Sequence, residues 1–314
     1  MSRVLITGAA GFIGSHLCDA YVARGDEVIG LDNFYTGNRK NLKTLEANPK
    51  FKLIKHDVRK PFPEVGRIDL VQHLACPASP VAYQRDPQFT LETNLAGTQN
   101  ALECAVQHRA RFVQASTSEV YGSPSVHPQS ESYWGNVNPL GPRSCYDEGK
   151  RGAETFVMIY HEQHVLDGRI VRIFNTYGPR MAPDDGRVVS NFIMQALSGR
   201  PLTIYGDGEQ TRSFCFVSDL VRGLMLAGDK EDLDYSPVNL GNPEEMTVVA
   251  LAKMVIEQSG SESKIISAPL PEDDPPRRRP EIARAQKLLN WQPQISLKQG
   301  LKETIDFFKG VALG

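Results

Sequence analysis

Arg3-Val4-Leu5-Ile6-Thr7 reads as a short strand, and it runs directly into Gly8-Ala9-Ala10-Gly11-Phe12-Ile13-Gly14. A strand that breaks into glycines at this spacing and then resumes as a helix leaves few folds open. The glycines permit a tight turn, a close approach of backbone to a pyrophosphate, and close packing of the helix on a sheet. The spacing is GxxGxxG rather than the commoner GxGxxG. Context supplies the rest, because the next strand, Glu27-Val28-Ile29-Gly30-Leu31, ends at an acidic residue, Asp32. A carboxylate there accepts hydrogen bonds from a ribose and repels a 2′-phosphate, so NAD is favoured over NADP. Gly8, Gly11, Phe12, Ile13, Gly14, Asp32 and Asn33 are the expected cofactor-binding residues, with Asp57 and Val58 placed for the adenine edge.

The first half of the chain keeps this rhythm. Phe51–Ile54, Leu70–Leu74, Phe112–Ala115 and Arg169–Phe174 read as further strands. Helical patterns lie between them, including 90–106, where Leu91, Leu95 and Leu102 recur at helical spacing, and 146–164. The alternation predicts an α/β fold, a Rossmann-type doubly wound parallel sheet. Beyond Asn175 proline, glycine and aspartate become frequent and the alternation fails. We expect residues 1–174 to form an NAD-binding domain, with segments from about 209–230 returning to it. Residues 175–314 are then mainly a smaller C-terminal substrate-binding lobe. In that lobe Thr247 and Ser296 are candidate helix caps, Leu297, Leu301, Ile305 and Phe308 form one helical stripe, and 269–280 is a charged, proline-rich loop.

Composition narrows the function. A net charge of -2 argues against nucleic acid or an anionic membrane surface as the main partner. The five cysteines are odd in number and lack CxxC spacing, which reads as reduced thiols in a cytoplasmic protein rather than a disulfide framework or metal site. No signal or anchor segment is recognised before the first strand, and no membrane association is expected.

Two stretches carry the chemistry. Ser116-Thr117-Ser118-Glu119 ends a strand with three hydroxyls and a carboxylate, and Tyr146 and Lys150 stand at i and i+4 on one helical face. A phenol with an ordinary pKa of about 10 is a poor base unless a cation stabilises its anion, and Lys150 is placed to do so.

Taken together, the glycine turn, the hydroxyl-rich strand end and YxxxK resemble the extended short-chain dehydrogenase/reductase superfamily, whose members act on nucleotide sugars. Ala115–Gly122, the run from His127 to Lys150, and Gly186–Phe192 are similar to its UDP-glucuronic acid decarboxylases. The resemblance covers nearly the whole chain. It implies that Tyr146 takes the proton of the sugar's 4-hydroxyl, beside Thr117, while hydride passes to NAD. Related 4,6-dehydratases carry Asp-Glu where this chain has Ser118-Glu119. Their aspartic acid protonates a leaving 6-hydroxyl, whereas a 4-keto glucuronate loses carbon dioxide and needs no such acid. A second carboxylate would also repel the one on the substrate. Serine at 118 then removes that charge, Glu119 or a water it holds manages the proton delivered to carbon 5, and Arg278 meets the sugar nucleotide.

The resemblance further places Tyr83 against the substrate, Asn175 near the diphosphate, and Val189, Asn191, Phe192, Tyr205, Gln210 and Arg212 around the UDP. A diphosphate suits the bidentate guanidinium of Arg212. It implies a homodimer paired through 90–107 and 146–164. The expected activity is NAD-dependent decarboxylation of UDP-glucuronate. The rival readings are a nucleotide-sugar 4-epimerase or 4,6-dehydratase, and a non-catalytic NAD-binding protein.

Overall fold

The computed structural model describes residues 1–270 and 277–312. Six strands, β1 (Arg3–Thr7), β2 (Glu27–Asp32), β3 (Phe51–Lys55), β4 (Leu70–His73), β5 (Arg111–Thr117) and β6 (Gly168–Ile173), fall where the apolar runs predict them. They are separated by helices α1 (Phe12–Arg24), α2 (Pro80–Arg85), α3 (Pro87–His108) and α4 (Ser144–His164). The chain continues through β7 (Thr176–Tyr177), α5 (Val188–Leu197), β8 (Leu202–Tyr205), β9 (Thr211–Ser213), β10 (Cys215–Phe216) and α6 (Val217–Asp229). It closes with β11 (Val238–Leu240), β12 (Glu245–Thr247), α7 (Val248–Ser259), β13 (Ile265–Ala268), β14 (Arg277–Arg278), α8 (Ala283–Leu289) and α9 (Leu297–Ala312).

The large sheet has the order β11-β6-β5-β4-β1-β2-β3, with parallel neighbours throughout. Side chains alternate across it with period two. Val4, Ile6, Val28, Val113 and Val171 face α1 and α6, packing on Leu17, Tyr21, Leu220 and Leu224. Leu5, Ile29, Val71, Phe112 and Ile170 face the other way, onto Ala101, Leu102 and Ala105 of α3 and Val157 of α4. Such two-sided burial is what parallel strands require.

Strand β1 pairs with both β2 and β4, so the winding direction reverses beside its carboxyl end. That reversal opens the crevice in which ligands of this architecture bind. The Thr7 hydroxyl accepts from the backbone N–H groups of Leu74 and Ala75, each at 3.1 Å, and so fixes the two strand ends that flank it.

Helix α6 lies within the stretch expected to return to the sheet. Its carbonyls are gripped from below by buried side chains: Arg169 donates to Ala227 at 2.5 Å and Gln72 to Leu224 at 3.1 Å. The seventh strand, β11, was not foreseen. Three residues, Val238-Asn239-Leu240, are too few to show a period, and only pairing with β6 reveals them.

Helices α5, α7 and α9 pack together through Phe192, Ile193, Leu251, Val255, Leu301, Ile305 and Phe308. Both expected caps form, with the Thr247 hydroxyl accepting from the Ala250 N–H at 3.2 Å and that of Ser296 from Gln299 at 3.3 Å. The expected loop over 269–280 needs correction. Positions 271–276 lie outside the described residues, but Arg277–Arg278 form a strand parallel to β9, in a register that sets Arg278 beside Arg212. Gln129 anchors the chain just past this strand, its side-chain oxygen accepting from the Arg279 N–H at 2.8 Å and its backbone N–H donating to the Arg279 carbonyl at 2.9 Å.

Helices α3 and α4 pack closely because α4 carries glycines where they meet. A β-carbon on Gly149 would lie 2.9 Å from the side chain of Asn94, and one on Gly152 would lie 2.7 Å from Leu95.

Candidate active site

The carboxyl ends of the strands open into a cavity of about 1690 Å³. A single drug-sized ligand occupies roughly 300–1,000 Å³, so this space suits two ligands end to end.

One end is made by the glycine turn. Gly8 has φ +71°, a left-handed conformation that favours glycine, and a β-carbon on Gly14 would lie 2.0 Å from the Gly8 carbonyl oxygen. The backbone is therefore exposed to whatever lies at the α1 N-terminus, as a pyrophosphate requires. Asp32 accepts from Ala10 N–H at 2.8 Å and Phe34 N–H at 2.7 Å, and each oxygen keeps a lone pair for a ribose hydroxyl. Burial pushes its carboxyl above the ordinary range, against the pull of those two bonds. Gly11, Phe12, Ile13, Asn33 and Val58 line the same end. Asp57 does not; it turns to Arg59, in an ion pair of 2.8 Å, because a neighbouring guanidinium two residues on is its nearest partner. The turn, the aspartate and the crevice thus fit a dinucleotide.

Midway along the cavity, Tyr146 and Lys150 emerge from α4 with 6% and 4% exposure. The Lys150 ammonium donates to the Ala115 carbonyl at 2.8 Å and lies 5.9 Å from the Tyr146 ring centroid. Burial drives the Tyr146 phenol well above its ordinary pKa of 10, and the nearby Thr117 hydroxyl pulls it the other way. Burial also lowers the Lys150 ammonium. Lys150 does not by itself offset this burial, so a working base needs additional positive charge nearby, which an oxidised nicotinamide ring carries. Tyr83 lies flat on Tyr146, ring centroids 5.1 Å apart and planes 8° apart. It is 1% exposed, yet it lines the cavity and its hydroxyl has no hydrogen-bond partner among the described residues. It packs the base and faces the ligand at once.

At the far end the strand β5 passes into a 3-10 turn, Ser118–Tyr121, capped by the Thr117 hydroxyl, which accepts from Glu119 N–H at 3.2 Å. The turn rotates successive side chains apart. Thr117 and Glu119 line the cavity, while Ser118, 2% exposed, does not. Ser118 stands one residue from each of them, buried at the start of the turn. Glu119 is held between two guanidiniums, Arg143 at 2.5 Å and Arg278. Burial would raise its carboxyl, but Arg278 and Arg143 outweigh burial and hold it below the ordinary range. Arg278 thus meets a protein carboxylate in addition to facing the cavity. Asn175, Val189, Asn191, Phe192, Tyr205, Gln210 and Arg212 all line the cavity. Asn191 is oriented by donating to the Gly186 carbonyl at 2.9 Å, and Gln210 by donating to Tyr205 at 2.7 Å.

Among the cavity arginines that the sequence reading did not single out are Arg143 and Arg187. Arg187 pairs with Asp185 at 2.5 Å and contributes positive charge towards the cavity. The available signal was an arginine closing a glycine- and proline-containing loop, Leu140-Gly141-Pro142-Arg143 and Pro183-Asp184-Asp185-Gly186-Arg187.

The model of the NAD dependent epimerase/dehydratase family matches residues 4–241, and the chain belongs to that family. Within it, the chain is 54% identical to UDP-glucuronic acid decarboxylase 4 of Arabidopsis thaliana over 99% of its own length and 70% of that protein. It is 52% identical to UDP-glucuronic acid decarboxylase 1 of Xenopus tropicalis, over 98% of this chain and 72% of that one. Among solved structures it resembles the UDP-glucuronic acid 4-epimerase of Bacillus cereus in complex with UDP-glucuronic acid and NAD. The TM-score there is 0.87 at 32% identity, covering 98% of this chain and 99% of that one. The UDP-glucose 4-epimerase of Thermotoga maritima superposes with a TM-score of 0.91 at 29% identity, covering 99% of both chains.

Proposed function

We propose that this protein is an NAD-dependent decarboxylase that converts UDP-glucuronate to UDP-xylose. The observation that carries this is identity of 52–54% with UDP-glucuronic acid decarboxylases over nearly the whole chain, against 32% with a 4-epimerase of UDP-glucuronic acid.

Roles follow from the chemistry of the residues. Gly8, Gly11, Gly14 and Asp32 hold the dinucleotide through backbone and ribose, with Val58 at the adenine. Asn175, Asn191, Tyr205, Gln210 and Arg212 hold the UDP. When bound, NAD supplies the acceptor and later the donor of the hydride exchanged at carbon 4. Tyr146 takes the 4-hydroxyl proton; the nearby Thr117 hydroxyl and Lys150 support this. The resulting 4-ketone makes the sugar a β-keto acid. The bond between carbons 5 and 6 then breaks, and its electron pair moves towards the carbon 4 oxygen, which the O–H groups of Tyr146 and Thr117 stabilise. Arg278 and Arg143 attract the sugar carboxylate, and Glu119 lies where carbon 5 regains a proton.

The paired helices α3 and α4 support a homodimer, with Leu91 and Met158 among their exposed side chains. Five free cysteines support a cytoplasmic setting.

Incubation of the purified protein with UDP-glucuronate and NAD tests the reading. Release of carbon dioxide with formation of UDP-xylose, identified by mass and NMR, is expected. Unchanged mass with inverted carbon 4 would overturn it in favour of an epimerase.

A further inference from the structure

Each decarboxylation replaces a carboxylate with a hydrogen, so every turnover draws one proton from solvent to carbon 5. The described site offers few groups to deliver it. The Tyr146 proton is committed to the carbon 4 oxygen. Glu119 is kept ionised by two guanidiniums. A third acid stands behind it.

A second cavity of about 200 Å³ adjoins the large one, and Glu119, Arg143 and Arg278 line both. These three side chains are the partition between the two spaces. The small cavity has room for several waters, since a buried water needs about 10–15 Å³ of such volume. Its rim carries Ser123, Asn136 and Asn138, all exposed to solvent. Its inner wall carries Asp147, the residue after Tyr146, which is 6% exposed and does not line the large cavity. One Asp147 carboxyl oxygen is fully buried with no hydrogen-bond partner among the described residues. A buried carboxyl left unpaired is costly, and it suggests a use.

We propose that Asp147 is the proton reservoir for carbon 5, passing its proton through water in the small cavity and Glu119 to the sugar after carbon dioxide has left. The inference rests on the decarboxylase reading above. The step balances without another reagent. Loss of carbon dioxide leaves an electron pair shared between carbon 5 and the carbon 4 oxygen. Asp147 gives its proton to the cavity water, which passes one to Glu119; Glu119 donates its proton to carbon 5 as the C–H bond forms, the enolate collapses to the ketone, and Glu119 and Asp147 are both left as carboxylates. One proton from solvent, entering past Ser123 and Asn138, restores it. Asp147 acts through water and Glu119, so it positions the proton and does not touch the sugar.

The charges around Asp147 agree. Burial comes first and the Glu119 carboxylate second in pushing its carboxyl up to about 7. Arg143 and Arg278 pull the other way, and Glu148 on its own helix adds to the rise. Tyr83 and Tyr146 also sense its charge. Asp147 therefore holds a proton in a substantial share of molecules near neutral pH, whereas Glu119 stays ionised.

The test uses the intact enzyme with NAD and UDP-glucuronate, and compares wild type with Asp147→Asn and Asp147→Glu. For Asp147→Asn, kcat should fall at least about tenfold with little change in UDP or NAD affinity, a modest share of the 10²–10⁴ typical of general acid catalysis. Reduced cofactor should accumulate during turnover, because the keto sugar waits unprotonated before its reduction. Wild-type kcat should decline as pH rises through about 7, Asp147→Asn should lack that limb, and Asp147→Glu should recover both rate and limb. Wild-type kcat in Asp147→Asn with the same pH limb would overturn the proposal. Should Asp147→Asn fail to fold, the wild-type profile decides: no limb near 7 overturns the assignment. Failure of wild type to release carbon dioxide would instead sink the decarboxylase reading, and is seen before any variant is made.

Discussion

Gly8 to Asp32 hold one end of the large cavity with backbone, whereas the opposite end is walled by side-chain charge. At the cofactor end the working groups are N–H donors at a helix start and one carboxylate, all contributed by 25 consecutive residues. At the sugar end Glu119, Arg143, Arg212 and Arg278 converge from four separate elements. The contrast follows from the ligands. A pyrophosphate is recognised well by a fixed peptide geometry, and every dinucleotide presents the same one. A sugar whose carboxylate is destroyed during the reaction calls for mobile protons and balanced charges, and these come from side chains with shifted pKa values.

The contrast can be broken by substitution. Tyr146→Phe should have the largest effect, a loss of at least ~100-fold in kcat, with UDP and NAD binding retained; assay of product together with ligand titration checks it. Near-normal turnover would remove Tyr146 from the chemistry. Next, Arg278→Ala removes one of the two guanidiniums that pair with Glu119, leaving its buried charge less well compensated. Catalytic efficiency on UDP-glucuronate should drop about 10- to 100-fold, while UDP alone binds nearly as before. An equal loss for UDP would mean that Arg278 belongs to the nucleotide site.

At the other end Asp32→Ala should weaken NAD by about tenfold and improve the relative use of NADP, since it removes a ribose acceptor and a repelling charge. Cofactor titrations decide it, and unchanged preference would show that Asp32 serves only the Ala10 and Phe34 N–H groups.

The smallest expected effect is on stability. A carboxyl whose folded pKa, about 7, exceeds its unfolded value of 3.8 costs the folded state nothing when both forms hold the proton. The cost grows as pH rises between those values and is constant above the higher one. Asp147→Asn removes it, so Tm should rise by about 2 °C or more at pH 8, and the gain should shrink as pH falls towards 4. A gain independent of pH would show that Asp147 is not the titrating group.

How much was legible follows the same contrast. The glycine turn, Asp32 and the Tyr146–Lys150 pair act over a few residues of chain, so spacing alone exposes them. The first six strands of the sheet declare themselves through buried apolar runs. Strand β11 is too short for that, and the strand carrying Arg278 becomes visible only when β9 pairs with it. Ser118 shows a different limit. Its neighbours suggest a place beside the substrate, but the direction a side chain takes in the 3-10 turn after β5 is set by turn geometry, which residue types do not record. Arg143 and Asp147 were missed because an arginine in a loop and an aspartate in a first helical turn are ordinary there. Arg143 is unusual for standing in the wall shared by two cavities, and Asp147 for lining the smaller one behind it.

The narrow gap between α3 and α4 sets a mechanical tolerance for the whole enzyme. Gly149 stands one residue before Lys150 and three after Tyr146, and it rests against Asn94 with no space for a methyl group. Adding that methyl would act as a shim between the two helices, pushing α4, which carries both groups, away from α3 and so out of register with Thr117 on the sheet. The distance at which a proton can be handed over is thus gauged by an atom that is absent, on a residue that takes no part in the reaction.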